Sequence, residues 1–148
     1  MPNATPVELE LRGDFAKLKD EVEEAEQTII EAAGQDQAGV DAKVDEVRRS
    51  ADARTAELRN KPKKADRPES HWEQVRSDFD QHVQRTRAHI DATKAAIDAN
   101  DAEDAAEWAE VDAEDAINFA ASAITEAEYA LLGAVRARKR ADALARSA

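Results

Sequence analysis

The chain has 148 residues, enough for one domain over 1–148 with a core of its own. Charged residues make up 36%, aromatics 4%, and cysteine is absent. That composition excludes disulfide scaffolds, thiolate metal sites and cysteine nucleophiles, and at a net charge of −12 it fits long helices or a disordered chain, between which hydrophobic periodicity decides for helices.

The first helix is predicted over about 6–33. Thr5-Pro6-Val7-Glu8 reads as a capping box, with Thr at N-cap, Pro at N1 and Glu at N3. Leu11, Phe15, Leu18, Val22, Ala25, Ile29 and Ala32 follow at alternating spacings of 4 and 3, an unbroken heptad seam. Gly34 stands where a helix C-terminus favours glycine.

A second helix is expected over about 38–60, with Asp36 as N-cap. Val40, Val44, Val47, Ala51, Arg54 and Leu58 keep the 4, 3 spacing, and Arg54 on that seam is expected to snorkel or to sit at the bundle edge. Lys61-Pro62 ends it, because a residue before proline avoids helical dihedrals. Residues 61–69 form a basic linker punctuated by prolines.

Ser70-His71-Trp72-Glu73 is a second capping box, and it opens a third helix over about 70–99. Its inward positions are Val75, Phe79, Val83, Thr86, Ile90, Thr93 and Ile97. Asn100-Asp101-Ala102-Glu103 resembles a further capping box with Asn100 at N-cap. It separates a fourth helix, about 101–143, since carrying the third seam onward would bring Asn100, Asp104 and Glu107 inside.

The fourth helix holds the most unusual pattern. From Ala102 to Ala141, twelve consecutive heptad-seam positions are alanine, and Leu144 extends them. Ile117, Ile124 and Leu131 run beside this seam at sevenfold spacing, and Trp108, Val111, Tyr129, Leu132 and Val135 widen the apolar surface. Alanine is also the best helix former and common here, so composition alone is the competing explanation.

Charge is unevenly spread. Residues 101–135 carry ten acids and no Lys or Arg, whereas residues 136–148 sum to +4. An acidic mid-section with a basic tail points to self-association or a basic protein partner rather than nucleic acid. The basic cluster Arg136-Ala137-Arg138-Lys139-Arg140 complements the dipole at a helix end and is no broad basic face. The N-terminal residues lack a signal-peptide layout. The longest apolar run, Tyr129 to Val135, is too short for a bilayer. A cytoplasmic protein without membrane insertion is expected.

Candidate chemistry is sparse. His71, His82 and His89 lie within about 20° of one another on a helix, yet successive ones are roughly 10–16 Å apart along it. They cannot share one ion unaided, and His82 and His89 are the only metal candidates retained. The Glu-x-x-His motif of di-iron bundles is missing, since Pro68, Phe79 and Thr86 precede the histidines by three. Glu103, Glu107, Glu110 and Glu114 form an acidic stripe whose ordinary reading is a solvated face. Neither a Gly-x-Ser-x-Gly nor a phosphate-binding loop occurs.

The sequence therefore specifies an all-α fold, an antiparallel up-down bundle of four helices with coiled-coil-like packing. Its expected role is a non-enzymatic interaction or scaffold protein, self-associating or bound to a protein partner, with no cofactor. The interaction residues singled out are Ala116, Ala120, Ala123, Ala127, Trp108 and Tyr129. The alternative is a ligand- or metal-binding bundle that uses the histidines of helix 3 and the carboxylates of helix 4. A third reading is a stress-type protein that folds only partly when alone. No small-molecule ligand is identifiable from the residues.

Overall fold

The first, second and fourth helices each begin where a short polar side chain satisfies a free N–H group of the first turn. In a computed structural model, which describes residues 4–60 and 72–147, the protein is an all-α helical bundle of four helices. No strand occurs among the described residues.

Helix α1 spans Pro6–Ala33. Thr5 caps it in extended conformation, its hydroxyl accepting from the Glu8 N–H at 3.1 Å. Gly34 follows the helix but stays right-handed at φ −88°, ψ −1°. The helix closes through tightened turns, in which Gly34 N–H donates to the Glu31 carbonyl and Gln35 N–H to that of Ala32. The glycine is therefore not used for left-handed freedom here.

Helix α2 spans Gln37–Asn60, and Asp36 caps it by accepting from the Gly39 N–H at 2.9 Å. Helices α1 and α2 run antiparallel. Lys43 reaches Glu31 near the connection, and Arg54 reaches Glu21 farther along, at 2.7 Å. The seam position Arg54 thus stands at the edge of the pair, with its guanidinium on a carboxylate. Its side chain is 60% exposed, so this pair contributes little beyond fixing the register.

Helix α3 spans Trp72–Lys94. The basic linker, Ser70 and His71 lie outside the described residues. The helix stops five residues before the expected end, with Ala95 N–H donating to the Ala92 carbonyl. Ile97, expected inward, sits in the connection and is 89% exposed.

Helix α4 spans Ala99–Ser147, 49 residues, or about 70 Å at the usual rise. Its N-cap is Asp98 rather than Asn100. The Asp98 carboxylate accepts from Asp101 N–H at 2.8 Å, and its carbonyl from Ala102 N–H at 3.0 Å. Asp and Asn cap equally well. Asp101 lies in the first turn, where a negative charge favours the helix dipole. The C-terminus also runs past residue 143, because nothing from there to Ser147 breaks a helix.

Two compact units result. One holds α1, α2 and the part of α4 from Leu131; the other holds α3 and α4 up to Ala130. No described side chain is buried in either. The expected core reduces to half-covered residues such as Phe15, Leu18, Val44 and Val83, while Val22, Ile29 and Ile30 stay exposed.

Candidate functional site

The clearest cross-helix constellation lies between α3 and the N-terminal part of α4. His89 Nδ1–H donates to the Asp112 carboxylate at 2.6 Å, since an ionised carboxylate can only accept. The Trp108 ring tilts against the His89 ring at 6.3 Å between centroids. His89, Ala92, Ala105 and Trp108 line a shallow groove of about 300 Å³. Farther along, Phe79 and Phe119 stack at 6.2 Å with their planes 16° apart. Rising positions on α3 meet falling positions on α4, so the two helices are antiparallel.

These contacts identify which side of α4 meets α3. Ala105, Asp112 and Phe119 repeat at sevenfold spacing, and Trp108 stands beside them. This strip is one flank of the alanine seam. On the other flank Ile117 and Ile124 remain open to solvent, Ile117 at 68% exposure. Between the flanks, Ala116, Ala120 and Ala123 are exposed and Ala127 is half-covered. Of the two aromatic positions singled out with them, Trp108 borders the α3 contact yet stays mostly exposed, and Tyr129 is 71% exposed. The structure therefore brings Trp108 to α3 and leaves the alanines, with their isoleucines, as an unpartnered strip.

The histidines do not converge. His89 is held by Asp112, whereas His82 is exposed and its carbonyl accepts from the Thr86 hydroxyl. His71 lies outside the described residues. Among the described residues no group of three or more His, Asp or Glu side chains could hold a metal ion. Glu103, Glu107, Glu110 and Glu114 are all exposed, as a solvated stripe should be.

Asp112 is the functional-looking side chain that periodicity overlooks. It is 25% exposed, the half-covered acid of a run otherwise in water. Its only signal in the sequence is the sevenfold relation to Ala105 and Phe119, and one aromatic in three positions is a faint one. Among the described residues, no helix is long and apolar enough to cross a membrane. No protein-family model matches the chain, and no curated protein or solved structure matches it either.

Proposed function

We propose that the protein is a non-enzymatic helical interaction protein, and that the exposed strip of α4 is its binding surface. The observation that carries this reading is the division of α4 into two flanks. The α3 helix occupies the strip of Ala105, Asp112 and Phe119, and the adjacent strip of alanines with Ile117 and Ile124 stays mostly exposed. Scattered apolar residues on a surface mean little, but a continuous line of them along one helix face marks an interaction site. A chain without a buried side chain among its described residues also gains little from its own packing, so covering that strip adds stability that the single chain lacks.

The alternative of a ligand- or metal-binding bundle rests on less. Among the described residues it rests on the pairing of His89 with Asp112 and needs further donors to make a site. Nucleic acid does not suit the reading either, because the basic groups of α4 are confined to its last turns beside a long acidic stretch. A cytoplasmic location is part of the proposal.

A photo-crosslinking residue placed at Ala120 or Ala123 tests the reading in cell extract. Adducts are expected from both positions and not from Asn118, which projects to the opposite side of the helix. Equal labelling from all three positions, or none from any, refutes an interaction surface on this strip.

A further inference from the structure

The geometry points to a second copy of this chain as the occupant of the α4 strip: α4 pairs antiparallel with α4, alanine against alanine, with Ile117 of one copy beside Ile124 of the other. This inference rests on the preceding reading that the strip is a binding surface, and it adds what binds there.

Three observations lead to it. First, the seam is regular from Ala102 to Ala141, so it can be laid against its own reverse without a mismatch. With the two-fold axis midway between Ala120 and Ala123, Ala120 meets Ala123 of the other copy, Ala116 meets Ala127 and Ala102 meets Ala141. All twelve positions find an alanine, and a slip of one heptad leaves seam alanines at each end without one. Small residues along the whole seam let the axes approach to the short end of the 8–10 Å range.

Second, charge selects the direction. Parallel pairing would set the eight acids of residues 101–115 against the same eight acids. Antiparallel pairing brings Glu103, exposed and on the same flank as Ile117 and Ile124, next to Arg138 of the other copy, which continues that flank at sevenfold spacing and is also exposed. Opposite charges on facing helices set orientation and partner choice in coiled coils.

Third, the flank left open by α3 is the one this pairing uses. Ile117 and Ile124 lie on it, and in the same register each falls beside the other across the axis. Phe119 and Asp112 stay with α3, so self-pairing does not compete with the α3–α4 contact. A strip about 60 Å long and about 10 Å wide covers roughly 600 Å² per copy, or about 1,200 Å² in all. That is the lower edge of the area that specific interfaces bury, and it suits a reversible dimer.

Sedimentation velocity on the full chain across the micromolar range should show a monomer–dimer equilibrium. The double variant Ala120→Glu/Ala123→Glu should weaken it at least about tenfold, while Ala121→Glu, off the seam, leaves it unchanged. Glu sustains helices well, so circular dichroism should report unchanged helicity in both. Direction is read independently by disulfide trapping, for which the absence of native cysteine is convenient. An Ala116→Cys chain mixed with an Ala127→Cys chain should form a crossed disulfide. Neither alone should, because like positions then lie roughly 16 Å apart.

A chain that stays monomeric, an equilibrium indifferent to the seam variant, or self-crosslinking of Ala116→Cys alone would each overturn the inference. The two readings separate cleanly. A monomer whose Ala120 still crosslinks to a different protein sinks self-pairing and leaves the interaction surface standing. A monomer with no adduct at Ala120 sinks both.

Discussion

Replacing Phe79 with alanine probes the contact that holds α3 to α4. Phe79 is 47% exposed, so about half of its surface is covered, and the Phe119 ring stacks against it. An aromatic side chain buries roughly 150–250 Å² when fully enclosed, so about 100 Å² is at stake here. At about 25 cal/mol per Å² that is about 2.5 kcal/mol, from which alanine recovers a few tenths and a compact unfolded state takes a further share. Because the site opens to water, no cavity penalty is added. The expected loss for Phe79→Ala is therefore about 2 kcal/mol. Urea denaturation followed by far-ultraviolet circular dichroism, at one fixed protein concentration, measures it, with Tyr129→Ala as the control. Tyr129 is 71% exposed and should cost under about 1 kcal/mol. A double-mutant cycle with Phe119→Ala should return a coupling of about 0.5–1.5 kcal/mol. If Phe79→Ala and Tyr129→Ala unfold at the same urea concentration, the stacked pair does not hold the two helices together.

Three further outcomes are expected. Asp98→Ala removes the α4 N-cap and should cost about 1 kcal/mol, with faster amide exchange at Asp101 and Ala102, whereas Asn100→Ala should leave both amides unchanged. Gly13→Ala, inside α1 with open space around the added Cβ, should raise stability by about 0.5–1 kcal/mol in a thermal or urea melt. Ala120→Leu and Ala123→Leu should match Ala121→Leu within about 0.5 kcal/mol in melts at dilution, since all three face solvent in the single chain. At concentrations where α4 strips meet, the two seam variants alone should overpack, at about 1–3 kcal/mol per site.

Much of the architecture is written locally. The capping box at Thr5, the cap at Asp36 and the unbroken heptads of α1 and α2 each fix an element through interactions within a few residues, and the structure places those helices accordingly. The junction of α3 and α4 was harder to place because Asp98 and Asn100 both make good caps. The choice is worth a few tenths of a kcal/mol, less than periodicity can resolve. Arg54 shows the same limit. Its position on a seam is clear from spacing, but its partner Glu21 lies on another helix and depends on the register between the two.

What the sequence by itself determined is the number and type of elements, because capping and helix propensity act within one or two turns. It also determined that α4 carries an apolar surface wider than one seam. Only the tertiary structure decided which part of that surface α3 would take. Heptad regularity favours the alanines, but burial follows area, and an alanine methyl removes little surface from water. Phe119 and Trp108 offer much more, and Asp112 adds a hydrogen bond to His89, so α3 settles on their flank. The most regular strip in the sequence is left facing solvent because its side chains are too small to compete for α3.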